Sequence, residues 1–368
     1  MSKSNRVIFI FFVGVITVCL SRGTAVADGE LAVGILQQVA ENLRVTDRIQ
    51  YEIEHRFSFL PPVPPAGGFP GRHVDAVVIR DGNRIEVSGI ERHYAGSRFI
   101  EEERIHQVST PDFHVHATNR DDDPDAGMVT TQQVERLLAP LLISGNFGFG
   151  LDGYIGDMAR FTELMLMEPD RVKFIGEKEA NGVICLQIDA DTKYGFFSVF
   201  VDEKNNYAIR RVVSVKGQSA ILYAGDRYLQ DMPNVETFTE VLDNLEFNLI
   251  DGINMPTKGT LTVTRRDRNG DIYMNKSEYV RTNINLNPVF GVDAFSTAFL
   301  EGELVSNLDD PESGVVYVWD GEQAVPAFTY FTGRAFMQGY AGFVRLFLML
   351  LGIALIAYAL YRVLRKKK

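Results

Sequence analysis

Apolar and polar positions change period several times along the chain. Leu31, Ile35, Val39 and Leu43 recur every four residues, with Gln37, Gln38, Glu41 and Asn42 on the other side. That spacing predicts an amphipathic helix over about 30–45. The period then switches to two. Ile49, Tyr51, Ile53, His55, Phe57 and Phe59 alternate with Gln50, Glu52, Glu54, Arg56 and Ser58, which predicts a long strand with one buried face. Pro61, Pro62, Pro64, Pro65 and Pro70, with Gly67, Gly68 and Gly71, stop it in a loop. Residues 74–79 and 84–88 flank Asp81-Gly82-Asn83, a hairpin signature. Further strands are expected over 97–108 and 112–118.

The centre reads as helical. Val134, Leu137, Leu138 and Leu141 place a helix over 131–142, kinked or stopped by Pro140. A glycine-rich stretch follows (Gly145, Gly148, Gly150, Gly153, Gly156). Ile155, Met158, Phe161, Leu164 and Met165 then predict a second helix over 154–167. From residue 171 the pattern is all strand, with candidates at 171–177, 183–190, 194–202, 207–215, 218–224, 235–249, 257–267 and 272–285. Asn181-Gly182, Asp251-Gly252 and Asn269-Gly270 mark tight turns, and such even spacing means an antiparallel meander. The element order gives an α+β class: a large antiparallel sheet with covering helices. Residues 287–340 form a mixed tail, in which 315–319 and 323–328 flank Asp320-Gly321 as a last hairpin.

Charge separates the ends from the body. The formal net charge is −11, but residues 1–27 and 341–368 hold nine basic residues and no acid, so the middle carries −20. A body of that sign excludes nucleic acid as a partner, and 25 Phe with 14 Tyr exclude a disordered chain. Lys3 and Arg6, an apolar run from Val7 to Leu20 and the small-residue site Ala25-Val26-Ala27 read as a signal peptide over 1–27. Leu346 to Tyr361 is uncharged, and 343–363 is long enough for a transmembrane helix. The basic run at 365–368 would then lie in the cytoplasm and the body outside, making a single-pass membrane protein. The expected organisation is signal peptide 1–27, folded body 28–286, tether 287–340, membrane helix 343–363 and basic tail 364–368. Removing the signal leaves Cys185 as the only cysteine. It lies in the apolar run 183–186 and reads as a buried, inert thiol.

Little in the sequence carries chemistry. All six histidines (His55, His73, His93, His106, His114, His116) fall within 55–116. His114-Val115-His116 puts two imidazoles on one strand face, but no spacing supplies a third ligand, so no metal is assigned. The glycines of 145–156 lack the Gly-Lys-Ser/Thr ending of a phosphate loop. Serine-nucleophile elbows, H-E-x-x-H and C-x-x-C are absent. Glu101, Glu102 and Glu103 read as a solvated strand face. No catalytic residue and no cofactor is assigned, and the chain is not expected to be an enzyme. Tyr194, Phe196, Phe197, Val199, Phe200 and Val201 place large residues on both faces of one strand. That requires a cover on each face or an enclosed ligand cavity.

The order of these elements also resembles a known group. The helix near 31–43 leads into the strand 49–59, and helices at 131–142 and 154–167 follow. Next come Val172-Lys173-Phe174-Ile175-Gly176, Asn181-Gly182-Val183-Ile184-Cys185-Leu186, Phe200-Val201-Asp202-Glu203-Lys204, Tyr207-Ala208-Ile209-Arg210-Arg211 and Gly252-Ile253-Asn254-Met255-Pro256. Over 30–285 this resembles the LolA/LolB-like superfamily of bacterial periplasmic proteins. The resemblance implies a curved antiparallel half-barrel with helices on its apolar concave side. It also implies binding of lipoprotein acyl chains or other hydrophobic ligands, or sensing, and no catalysis. The candidate cavity residues are Ile53, Phe57, Phe161, Phe196 and Phe200. The function expected on this reading is a membrane-anchored extracytoplasmic protein that binds a lipid or lipoprotein acyl chain. The alternative is a structural or sensory envelope ectodomain with a filled interior, acting through contacts with an envelope protein. An anchored chain departs from the soluble carriers of the superfamily, which puts shuttling in question.

Overall fold

The period-two run after residue 48 is the strand around which the rest is ordered. The structure, a computed structural model, describes residues 29–60, 71–119, 127–130, 146–155, 157, 159–222, 227–228, 234–291, 294–296, 299, 301–307, 309 and 315–330. In it the run forms β1 (Arg48–Leu60), with Ile49, Tyr51, Ile53 and His55 buried and Arg48, Glu52 and Arg56 exposed. Strands β2 (Gly71–Asp81), β3 (Arg84–Ala95), β4 (Arg98–Ser109), β5 (His114–Asn119) and β6 (Gly127–Thr130) continue as an antiparallel meander.

A second meander begins with β7 (Val172–Ala180), β8 (Val183–Thr192), β9 (Gly195–Asp202) and β10 (Ala208–Gly217). A separate pair, β11 (Ile221–Leu222) and β12 (Arg227–Tyr228), interrupts it. It resumes with β13 (Val235–Ile250), β14 (Ile253–Asp267) and β15 (Ile272–Asn285). Strand β15 then pairs with β1, placing Arg281 opposite Ile53 and Tyr279 opposite His55. Among the described residues the two meanders thus become one sixteen-stranded sheet, with β1 and β15 adjacent inside it. Beyond β6 the sheet is extended by β16 (Leu304–Asn307), β17 (Tyr317–Trp319) and β18 (Ala324–Pro326); β16 joins β6 in parallel.

One face of this sheet, the inner face, holds the core. Ile49, Tyr51 and Ile53 of β1 share a cluster with Phe197, Val199, Val212, Leu242 and Leu261 of the second meander. Helix α1 (29–44) lies on it and buries Ala32, Ile35, Leu36, Val39 and Leu43. Its stripe is turned slightly from the expected one, leaving Leu31 exposed.

Three expectations are corrected here. The α+β class gives way to a predominantly β fold. The helix expected over 154–167 is reduced to α2 (Phe161–Leu166), because Arg160 is extended and bridges back to Tyr154; the glycine-rich stretch ahead of it forms a kinked 3-10 segment, Asn146–Asp152. Phe147 and Gly148 there have left-handed dihedrals, and a Cβ on Gly148 would lie 2.5 Å from Ile53 Cδ1. That geometry cannot continue as an α-helix. Of the strand expected at 218–224, residues 218–220 are a turn and its end, and Ile221–Leu222 is the strand among the described residues, with Ile221 N–H donating to the Lys193 carbonyl.

A fourth correction concerns the membrane. No helix among the described residues is long and apolar enough to cross one. Helix α1 is about 24 Å long at 1.5 Å per residue and apolar on one face only. The single-pass topology and membrane location are therefore not supported. Residues 343–363, the signal segment 1–27 and the helix expected at 131–142 lie outside the described residues.

Candidate functional site

Where α1 ends over β10, β13 and β14, the packing leaves a narrow apolar cavity of about 40 Å³. Val39, Leu43, Leu151, Leu242, Leu245 and Met255 line it, with Asn42, Asn205, Asn206 and Asn254 among the remaining lining residues. These asparagines are half-buried or exposed and form a polar rim. Asn42 Nδ2 donates to the Asn206 carbonyl at 2.7 Å, holding the end of α1 against the turn between β9 and β10. Small-molecule pockets are commonly about 300–1,000 Å³, so this one is a closed seam. Larger depressions of about 760 Å³ (beside 29–37 and 169–175) and 480 Å³ (over 52–54, 75–77 and 88–90) are open to solvent.

The segment before α2 is fixed to the inner face by buried charges. Arg281 grips Asp152 with two bonds of 2.8 Å, and both side chains are fully buried. Its Nη2 also donates to the Gly148 carbonyl at 2.6 Å, and its guanidinium lies 4.2 Å from the Tyr51 ring centre. Burial opposes the charge on Arg281, but Asp152 and Tyr51 outweigh it and its pKa is raised. Arg160 donates to Asp47 Oδ1 and Thr46 Oγ1 at 2.8 and 2.9 Å, and Arg80 donates to the Tyr154 hydroxyl. Farther along, Lys216 Nζ meets Asp157 Oδ2 at 2.7 Å, again with both side chains fully buried. Glu240 lies beside this pair, and among the described residues neither of its carboxylate oxygens finds a hydrogen-bond partner. Burial raises its pKa well above the usual carboxyl value, against the pull of Lys216 and with a further push from Asp157.

The first meander presents different chemistry on the same face. His55 Nε2 contacts Ser277 Oγ at 3.1 Å, and burial, with Arg72 and His73, holds its pKa well below 6.5. His116 Nδ1 pairs with Gln107 Nε2 at 2.7 Å. Burial, reinforced by His116, lowers the His114 pKa to about 4. Glu91 and His93 are neighbours on the buried side of β3, and Glu103 stands opposite Glu91 on β4. His93 Nε2 is 3.2 Å from Glu103 Oε1 and 3.5 Å from Glu91 Oε1, and Arg72 Nη1 is 3.4 Å from Glu91. Glu91, His93 and Glu103 form a group able to hold a metal ion.

The five expected cavity residues do not share one cavity. Ile53 and Phe161 are in the core cluster. Phe57 is half-buried beneath the Arg72 guanidinium. Phe196 and Phe200 alternate with Phe197, Val199 and Val201 and lie on the outer face. Phe196 is 37% exposed, while Arg211, opposite Phe200 in register, lies over the Phe200 ring. The second apolar face of β9 therefore has a cation cover and encloses nothing. Cys185 is buried, and burial raises its pKa. His114 and His116 are on the inner face but outside the metal-compatible group. Glu103 is not on a solvated face: it is 9% exposed. The missed signal was the hairpin register, which sets Glu91-x-His93 against Glu103 across the turn at Gly96.

No known family profile and no curated protein matches the chain. Among solved structures, a DUF1329 family protein from Desulfovibrio piger aligns with 73% of this chain and 97% of its own at 10% identity, with a TM-score of 0.38. That neighbour's family is LolA/LolB-like in fold.

Proposed function

We propose that this chain is a binding protein, not a catalyst, and that it takes an apolar chain, such as a lipid or lipoprotein acyl group, between α1 and the sheet. The observation that carries this reading is the seam itself: an apolar throat of Leu43, Leu242, Leu245 and Met255 behind a ring of asparagines. Such a throat suits an aliphatic chain, and the rim suits its polar end. At about 40 Å³ the seam is closed, so uptake requires α1 to lift from β13 and β14 and the Asn42–Asn206 bond to open. Titration of the full-length protein with a fluorescent fatty acid tests this. Saturable uptake is expected, weakened at least about tenfold by Leu245→Trp, which fills the throat. Absence of saturable uptake, or uptake indifferent to Leu245→Trp, overturns it.

The packed inner face favours a second reading, in which the interior is filled and the protein acts through contacts with an envelope protein. Buried ion pairs at Asp152 and Asp157, with the contacts of Arg160, already hold the chain ahead of α2 in place. Failure of fatty-acid uptake, together with capture of a defined partner whose binding survives Leu245→Trp, is the result expected on that reading.

A further inference from the structure

We infer that Glu91, His93 and Glu103 form a binding site for a divalent transition-metal ion, of which Zn²⁺ is the fitting probe. Register is the first ground. Glu91 stands directly opposite Glu103, and both are buried on the inner face at 7% and 9% exposure. Two carboxylates facing each other across neighbouring strands repel, and burial strengthens the repulsion. The pair requires positive charge between or beside its members. Arg72, opposite His93 in the β2–β3 register, supplies one charge 3.4 Å from Glu91.

Distance is the second ground. Zinc bonds to His nitrogen and carboxylate oxygen run about 2.0–2.2 Å, so two ligand atoms on one tetrahedral ion stand about 3.3–3.6 Å apart. His93 Nε2 lies 3.2 Å from one carboxylate oxygen and 3.5 Å from the other, and all three ligand atoms fall within 4.8 Å. At 3.2 Å the His93–Glu103 contact also serves as a hydrogen bond, which an ion between the two side chains would replace. The spacing fits ligands around a common centre as well. The imidazole favours zinc or a similar transition ion over Mg²⁺ or Ca²⁺.

Local backbone is the third ground. The β3–β4 register slips between His93 and Tyr94, and such bulges commonly re-aim a side chain at a site. Three protein ligands leave a fourth position for water or for a donor atom of a ligand. This site is at the first meander and does not depend on the apolar seam.

Calorimetric titration of the full-length chain with Zn²⁺ tests the inference. One equivalent is expected to bind in the presence of excess Mg²⁺. His93→Gln and Glu103→Gln should each weaken it by at least about tenfold, while His114→Gln leaves it unchanged. Arg72→Gln should tighten it by about threefold or more, because a competing cation beside Glu91 is removed. A purely structural ion cluster would show no such tightening. No binding to the natural sequence overturns the inference. So does binding that His93→Gln leaves intact or that His114→Gln abolishes. Should His93→Gln fail to fold, the Arg72→Gln titration decides alone: tightening supports the site, and no change or weakening overturns it.

Discussion

The two meanders use the same face of one sheet in opposite ways. In the second meander the inner face is filled: Phe197, Val199, Val212, Leu242 and Leu261 pack against α1 and the segment before α2. Its charges, Arg281 with Asp152 and Lys216 with Asp157, are paired at 2.8 and 2.7 Å and hold that segment down. In the first meander the strands beyond β2 carry Glu91, His93, Glu103, Gln107, His114 and His116 on the inner face. Buried charge therefore secures packing in one half and gathers ligand-type side chains in the other. Only the second use is tied to a bound species, so the halves should differ in what they lose when a single side chain is changed.

The sharpest break is at the clamp. Asp152→Ala strands the Arg281 guanidinium without its partner in a fully buried place, and removing one member of such a pair costs about 3–5 kcal/mol. Urea denaturation should show that loss. A loss below about 1 kcal/mol would mean that the clamp does not secure the second meander.

A smaller effect separates the halves by pH. His55 and His114 have depressed folded pKa values, so the stability they confer is present above 6.5 and is lost as pH falls toward the folded value, about 4 for His114. At about 1.4 kcal/mol per pKa unit, His114 contributes up to about 3 kcal/mol across that window. Glu240 has the opposite sign. Its folded pKa is raised, so its contribution is present below 4.5 and is lost as pH rises through the folded value. Amides of β4 and β5 should lose hydrogen-exchange protection as pH falls below 6.5, whereas those of β10 and β13 should lose it as pH rises above 4.5. Glu240→Gln should flatten the second slope, and the same pH dependence in both meanders would remove the distinction.

The last comparison, which ends on the smallest change, sets neighbours on β9 side by side. Phe197→Ala opens a hole in the core and should cost about 3–5 kcal/mol, whereas Phe196→Ser, on the outer face, should stay within about 0.5 kcal/mol. Thermal melts of the two variants measure the contrast, and equal costs would mean that the outer face of β9 is also covered.

Alternation made most of the sheet legible. The strands expected at 183–190, 194–202 and 272–285 appear as Val183–Thr192, Gly195–Asp202 and Ile272–Asn285, because Asn181-Gly182 and Asn269-Gly270 fix where the chain can turn. What alternation could not supply is which face meets what. Phe196 and Phe197 look alike in sequence, and only the packing separates them. Glu103 sits in a run of three glutamates whose solvated reading is correct for its neighbour Glu102, which is exposed and bound to Arg92. Its burial follows from a cross-strand partner twelve residues earlier. The helix expected over 154–167 failed because the spacing of Ile155, Phe161 and Leu164 also fits a folded-back plug, and the dihedral freedom of glycines such as Gly148 and Gly153 permitted the plug. The doubly apolar strand pointed to an enclosed ligand, but a cross-strand arginine sufficed to cover the second face.

Adjacency of β1 and β15 bears on how the chain reaches this state. Each meander is built from strands that are close in sequence, most of them joined by short turns, and can assemble from local contacts. The seam between them joins Tyr51 to Arg281, 230 residues apart in sequence, and a closure of that span carries a large entropic cost before any contact rewards it. Zipping of β1 to β15 is thus the slow, committing event, and the Arg281–Asp152 clamp can close only after it. Until then both seam edges are bare, and a second copy's β15 offers β1 the same ladder as its own. At high concentration during refolding, strand exchange across this seam is the characteristic hazard of the architecture.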